Sequence, residues 1–378
     1  MSLPASRVLS RADEELRALW STASGATGKV ESSISRACTM NLVVVAATPA
    51  RAAQVVPIVD EVVQHVPARA IIVGLDPDAP DDLDATVSAV CTPNASGGPA
   101  VCSERVVLHA KGGICRRLPS CVDALCANDV PMTLVWLARV HVEDPAFGPL
   151  AGAATRVVLD SSQTSLSSLS QVVRFARLRP ETDRPGVADL AWTRLGSWQE
   201  LCSRMFDPPR LRSLATRVSR LTLVQSSPDG ATLGPEGALL LGWLATRLGW
   251  KAASLGGKLR LVRPDGGLVQ TQLRAKQVRA AARGTLLRVE LEAQGGGVTM
   301  VGGVASDEEG GTDAASWRIE VSSASETQRL EQHVRMRAGQ PAPLLERTLH
   351  RPPRDASLVE ALLWADELRA EELSCESE

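Results

Sequence analysis

Leu42-Val-Val-Val-Ala-Ala47 is followed by Val55, Val59, Val62 and Val66 and then by Ala70-Ile-Ile-Val-Gly-Leu75. An apolar run without alternation suits a strand buried on both faces, and the four valines recur at the spacing of one helix face. Strand, helix, strand is a βαβ unit, which requires a parallel pair and a covering layer. The alternation continues through Val101 to Ala110, Met132 to Ala138 and Thr155 to Asp160 as strands. Helices are expected at Leu118 to Ala127 and Leu166 to Leu178. An opening helix over Ala12 to Trp20 carries Leu16, Leu19 and Trp20 on one side. The acidic stretch Asp76 to Asp84 and the Gly/Pro-rich stretch Thr92 to Pro99 read as loop excursions from this scaffold.

The pattern changes after Phe206. One amphipathic helix, Ala238 to Trp250, precedes alternating segments at Lys258 to Arg263, Val269 to Lys276, Leu286 to Glu292, Val298 to Val304, Trp317 to Val321 and Gln332 to Arg337. Period-2 patterning broken by turns such as Pro264-Asp-Gly-Gly267 predicts an antiparallel sheet with one wet face. The Gly- and acid-rich region Gly295 to Gly311 reads as a mobile hairpin. Ser357 and Glu360 form a capping-box pattern before a last helix with Leu358, Ala361, Leu362 and Ala365 on one side. The expected fold class is α/β: a mainly parallel, doubly wound N-terminal domain over residues 1–210. An α+β C-terminal domain with an antiparallel sheet and a terminal helix follows over residues 211–378.

Composition bounds the function. A chain of 378 residues exceeds one ordinary core and supports two. With 44% hydrophobic and 22% charged residues it reads as globular, and a net charge of -2 argues against a general nucleic-acid binder. No run approaches the roughly 20 apolar residues of a membrane-spanning helix. The first residues, with Arg7, Arg11, Asp13, Glu14 and Glu15, lack the apolar centre of a secretory signal. A cytoplasmic location is therefore expected, with the eight Cys reduced and buried as small hydrophobes. Eight Trp against three Phe and no Tyr make the indoles the main large aromatic packing, and each buried one needs an acceptor for its N–H.

The motifs of catalysis fail on spacing. Gly25-Ala-Thr-Gly-Lys29 has two residues between its glycines, where a phosphate loop needs four, and Val30 follows the Lys where Ser or Thr is required. Leu42 to Ala47 runs into Thr48-Pro49-Ala50-Arg51 without the glycines of a dinucleotide turn. The five His are scattered, Cys115, Cys121 and Cys126 form no CxxC pair, and Asp76-Pro77-Asp78 lacks the Gly of a calcium loop. There is no GxSxG elbow, and Cys38 stands just before a buried strand. No catalytic residue, cofactor or metal is assigned.

Arg36-Ala-Cys-Thr-Met-Asn-Leu-Val-Val44, preceded by Glu15-Leu-Arg-Ala-Leu-Trp20, resembles the start of the assembly-protein family of glucose-6-phosphate dehydrogenase, often called OpcA. Arg69-Ala-Ile-Ile-Val73, Cys102-Ser-Glu-Arg-Val-Val-Leu108, Val130-Pro-Met-Thr-Leu-Val-Trp136 and Asp189-Leu-Ala-Trp-Thr-Arg-Leu-Gly-Ser-Trp198 continue the resemblance in order and spacing. In this chain Val66-Pro67-Ala68 stands where the family has a His-Pro-type turn before its Arg. The resemblance implies a non-catalytic protein that binds glucose-6-phosphate dehydrogenase, favours its active oligomer and serves the oxidative pentose phosphate pathway. It implies neither a nucleic acid nor a membrane as partner. The other functional readings are a phosphosugar-acting enzyme of lactonase or transferase type, and a sensor of an anionic metabolite.

Two surfaces are candidates for docking. Trp192, Arg194 and Trp198 are of the types that recur as interface anchors. The helical spacing of Trp198, Leu201, Cys202 and Met205, with a capping-box pattern at Ser197 and Glu200, instead favours a core role. The other candidate is the wet face of the second sheet, where alternation groups Lys258 with Arg260, Arg274 with Lys276, and Arg335 with Arg337, and adds Arg288. From Lys251 to Arg288 there are nine Lys or Arg against the single acid Asp265. A solvated face that discourages edge pairing is the plainer reading; the functional one is an electrostatic docking surface.

Overall fold

The computed structural model describes residues 4–25, 34–93, 100–227, 232–255, 258–278, 281–306, 314–336, 340–370 and 373–377. Two compact units interleave in sequence. The first comprises residues 1–164, 171–189 and 341–354; the second comprises 165–170, 190–340 and 355–378. The last strand of the first sheet ends at Asp189 and the first strand of the second begins at Val218.

The chain opens with α1 (Ala5–Gly25), β1 (Ile34–Arg36), β2 (Asn41–Ala46), α2 (Pro49–Val62), β3 (Arg69–Asp76), β4 (Asp82–Thr92) and β5 (Ala100–Lys111). Next come α3 (Leu118–Asp123), β6 (Met132–Leu137), α4 (Phe147–Ala153), β7 (Arg156–Leu159), α5 (Leu166–Arg177) and β8 (Gly186–Asp189). The first sheet has the order β1-β5-β3-β2-β6-β7-β8, with β4 also on β5. Its pairings are parallel except β4 with β5. The βαβ reading holds at residue level: every residue of β2 is buried, and α2 turns Val55, Val59 and Val62 inward. A Cβ at Gly74 would lie 2.7 Å from Pro49 Cα, so glycine is what lets the first turn of α2 close on β3.

The second half contains α6 (Leu190–Arg204), β9 (Val218–Ser226), α7 (Pro235–Leu248), β10 (Lys251–Leu255), β11 (Lys258–Val262), β12 (Leu268–Lys276) and β13 (Leu286–Gly295). It continues with β14 (Val298–Ser306), β15 (Ala314–Ser322), β16 (Thr327–Arg335), α8 (Pro341–His350), α9 (Ala356–Glu367) and β17 (Glu376–Ser377). The second sheet runs β10-β11-β12-β9-β13-β14-β15-β16, with β17 beside β12. It is antiparallel apart from β9 with β12 and β12 with β17. α6 covers one face of it: Trp317 Nε1 donates to Leu201 O at 2.9 Å, and Met205 lies against Gly302.

Several expectations are corrected. The end of the acidic stretch read as a loop, Asp82 to Asp84, opens β4, which runs on to Thr92, with Leu83 and Ala85 buried while Asp84 and Thr86 face out. That strand sets Cys91 directly opposite Cys102, with Cα atoms 4.0 Å apart, and the two form a disulfide, so the thiols are not all reduced. Ser197 and Glu200 lie inside α6, which starts at Leu190, and so make no capping box. The cap of α9 is Asp355, whose Oδ1 accepts from Ser357 N at 2.9 Å and Leu358 N at 3.2 Å. The strand expected at Val298 to Val304 holds as β14, paired on both sides, and of the region read as a mobile hairpin residues 307–311 lie outside the described residues. Most of the Gly25 to Lys29 connector and residues 94–99 also lie outside them.

Candidate functional site

The motif residues Trp20, Arg36, Arg69 and Glu104 come from four elements and meet at one carboxylate. Glu104 on β5 is 2% exposed. Its Oε1 accepts from Trp20 Nε1 at 2.5 Å and Arg36 Nε at 2.9 Å, and its Oε2 from Arg69 Nε at 2.5 Å and Arg36 Nη2 at 3.2 Å. Arg69 Nη1 also donates to Leu125 O at 2.9 Å. Asn41 extends the node: its Nδ2 donates to Ala127 O at 2.9 Å and its Oδ1 accepts from Ala127 N at 2.7 Å. A carboxylate enclosed by its own cations and an indole has its lone pairs engaged. The arrangement ties α1, β1, β3 and β5 together.

The β2–α2 turn, where a doubly wound sheet switches direction, is closed by its own side chains. Thr48 Oγ1 accepts from Arg51 N at 3.1 Å, and Pro49 is the first helical residue. A pyrophosphate held by helix N–H groups needs those donors and close backbone approach; one donor is taken here and the glycines are absent. Among the described residues no group of three or more His, Cys, Asp or Glu is arranged to hold a metal ion. Burial pushes the thiols up: Cys202 to about 12, Cys126 and Cys375 to about 11, and Cys115 and Cys121 in the same direction. A raised thiol is a poor nucleophile at neutral pH.

The two docking candidates separate by burial. Trp192 is 3% and Trp198 5% exposed. Trp192 Nε1 donates to Asp355 Oδ2 at 2.8 Å, and Arg194 Nε to Glu236 Oε1 at 2.7 Å. These residues anchor α6 within the second unit and present no indole to solvent.

Register brings the basic set to the sheet face opposite α6. Arg274 pairs with Val224, Val224 with Arg288, Arg288 with Ala305, Ala305 with Ser316, and Ser316 with His333. Directly paired residues share a face, so Arg274, Lys276, Arg288 and Arg335 lie on one face, spread from β12 to β16. The Val262–Leu268 pair adds Arg260 from β11. Arg260, Lys276 and Arg335 are exposed, and Arg274 and Arg288 are half-buried. The side chain of Lys258 and the whole of Arg337 lie outside the described residues. Acids interleave in the middle of the face: Arg220 meets Glu292 at 2.7 Å and Arg318 meets Glu290 at 2.6 Å. At the end formed by β11 and β12 an acid is again close, since Glu376 of β17 pairs with Arg274. There Leu268, 55% exposed, lies on the same face as Arg260, Arg274 and Lys276, and Arg274 Nη2 donates to Gln272 Oε1 at 2.9 Å.

An arginine cluster at the start of β7 and β8 went unread in the sequence. Its signal is Arg179-Pro180, Arg184-Pro185 and Pro353-Arg354, proline-stiffened arginines brought together from two distant segments.

Comparison with known proteins matches two successive domains. Residues 59–176 match the family model described as the N-terminal domain of the glucose-6-phosphate dehydrogenase subunit, and residues 185–362 match the model described as its C-terminal domain. A protein of Nostoc punctiforme named OxPP cycle protein OpcA is 31% identical over 169 residues, which are 44% of this chain and 35% of that protein. A protein of the same name from Synechocystis is 29% identical over 174 residues, 44% of this chain and 34% of that one. The alignments thus span about a third of these curated relatives. Among solved structures, glucose-6-phosphate 1-dehydrogenase from Mycobacterium avium is similar with a TM-score of 0.51 at 11% identity, covering 90% of this chain and 94% of that one. At that identity the likeness concerns the fold alone.

Proposed function

From the premise that this chain belongs to the glucose-6-phosphate dehydrogenase subunit family, whose N- and C-terminal domain models it matches in order, we propose that it is a non-catalytic partner of that dehydrogenase. It binds the enzyme, favours its active oligomer and leaves the oxidation of glucose 6-phosphate with NADP to the enzyme's own site, in the cytoplasm. A partner activates only through differential affinity: it binds the active assembly more tightly than the inactive one. The observation that carries the reading is the match to both domains of the family. The glycine-free β2–α2 turn and the raised thiols support a supply of surface rather than of chemistry.

The docking surface in this reading is the open face of the second sheet, at its β11–β12 end. Arg260, Arg274 and Lys276 steer an acidic partner, and Leu268 supplies an apolar contact among them. Steering acts on association and fades as salt shortens the Debye length, about 8 Å at physiological ionic strength. Single exposed ion pairs are worth only about 0.2–1 kcal/mol, so the informative variant changes three at once. Titrating the chain into its cognate dehydrogenase is expected to raise the active fraction to saturation at a fixed ratio. The variant R260E/R274E/K276E is expected to associate more slowly and with a flatter salt dependence. A folded triple variant with unchanged association rate and salt slope overturns the choice of face; absence of binding by the wild type at micromolar concentrations overturns the function.

A further inference from the structure

Four guanidinium groups of the first unit gather where β7 and β8 begin, and backbone carbonyls hold all of them. Arg156 is buried; its Nη1 donates to Thr348 O at 2.9 Å and Leu349 O at 2.7 Å, and its Nη2 to Arg351 O at 2.6 Å. Arg179 Nη1 donates to Gly152 O at 3.1 Å, and Arg184 Nη2 to Arg177 O at 3.2 Å and Arg179 O at 3.4 Å. Arg354 Nη2 donates to Glu181 O at 2.7 Å and Arg184 O at 3.2 Å. No carboxylate within the described residues forms an ion pair with any of the four. Carbonyl dipoles orient a guanidinium without neutralising it, so the charge stays available to an anion.

Two of these groups, Arg184 and Arg354, line a recess of about 630 Å³ walled by residues 152–155, 182–184 and 352–354. Arg179 lies against its Gly152 wall, where a Cβ would overlap Arg179 Nη2, so glycine is required for the guanidinium to lie there. The Nε–H of Arg184 is buried and has no acceptor in the protein, an arrangement that calls for a further group at that point. Against the two arginines that line it the wall contributes one acid, Asp183. The size falls within the roughly 300–1,000 Å³ of small-molecule sites.

We propose that this recess binds a small phosphate ester, its phosphoryl group held by Arg184 and Arg354, with Arg179 adding positive charge from beside the Gly152 wall. A carboxylate matches a single guanidinium fork, whereas a tetrahedral dianion with three acceptor oxygens answers forks arriving from several directions. The site lies at the amino ends of β7 and β8, away from the carboxyl ends where doubly wound sheets bind nucleotides. It therefore belongs to an effector. The inference concerns the first unit alone and does not depend on the dehydrogenase as partner.

Calorimetric titration of the full chain, without any partner, tests it with glucose 6-phosphate, inorganic phosphate and uncharged glucose as probes at matched ionic strength. Saturable binding of glucose 6-phosphate, competed by phosphate and absent for glucose, is expected. The variant R179Q/R354Q is expected to weaken it roughly tenfold or more, since a charge-assisted hydrogen bond is worth at least that. Hydrogen exchange on the wild type gives a reading that needs no variant: protection is expected to rise at residues 152–155 and 182–184 on saturation. Heat no greater than that of sodium chloride at equal ionic strength overturns the proposal, as does binding that leaves both segments unprotected or is undiminished in the folded variant.

Discussion

Replacing Glu104 by Leu removes the acceptor on which Trp20, Arg36 and Arg69 converge, and the structure sets the size of the effect. The Arg36 side chain is 44% exposed and can turn to water, so its loss is that of a surface pair, about 0–1 kcal/mol. Arg69 is 9% exposed as a residue and keeps only the bond to Leu125 O. A buried charge stripped of its partner costs about 3–5 kcal/mol, a large share of a typical folding free energy. Urea unfolding of E104L, followed by circular dichroism, is therefore expected to lose about 3–5 kcal/mol at unchanged m. The double variant R69M/E104L removes both charges, and a well-packed apolar pair often costs little relative to a buried ion pair. It is expected to recover most of the loss. A cost below about 1 kcal/mol for E104L, or a double variant as unstable as the sum of the singles, refutes the account of Glu104 as the acceptor that makes the burial of Arg69 tolerable.

Two further outcomes follow from the buried polar and thiol groups. R156Q is expected to cost about 3 kcal/mol and to release α8 first, because Thr348 O, Leu349 O and Arg351 O lose charged donors together; hydrogen exchange showing no earlier opening of α8 counts against it. Cys202, raised to about 12 by burial, binds its proton more tightly folded than unfolded, so its contribution is whole below about pH 9 and lost as pH rises toward 12. Free energies of unfolding measured from pH 8 to 11 should fall less steeply in C202A, by about 2–3 kcal/mol over that range, and equal slopes would sink the assignment.

The parts of the fold that could be read were those in which a local pattern coincides with burial. β2 is saturated with apolar residues because both its faces are covered, and Val55, Val59 and Val62 repeat with the helix because one side of α2 packs. β15 alternates because one of its faces is wet: Ala315, Trp317, Ile319 and Val321 point inward. β4 was hidden because its inward positions begin with the small or isolated residues Leu83 and Ala85 amid acids, and its partner lies in β5, beyond the Gly/Pro-rich stretch. The disulfide was hidden with it. The cap of α9 was misplaced by two residues because Ser357 fits the pattern, while Asp355, which also receives Trp192, holds the position. Glu104 was visible as a motif residue. Its role was not, because Arg69, Arg36 and Trp20 are 35, 68 and 84 residues away in the chain.

The same limit separates the two arginine-rich regions, and their chemistry differs in a way that residue counts conceal. On the open sheet face several arginines meet glutamates, Arg220 with Glu292 and Arg318 with Glu290, so the centre of that face is close to neutral, while at its β11–β12 end Glu376 pairs with Arg274 and the exposed Arg260 and Lys276 stand on the same face. In the first unit Arg179, Arg184 and Arg354 are held by carbonyls and keep their charge. A chain whose net charge is -2 thus carries two separate positive spots. Exposed charges are screened by salt over about 8 Å. Partner association through the sheet and anion binding in the recess should both weaken with salt, since Arg354 is exposed like Arg260 and Lys276, and Arg184 is half-buried like Arg274. The two sites are distinguished by residue: R260E/R274E/K276E is expected to slow association with the partner and leave anion binding unchanged, and R179Q/R354Q to do the reverse.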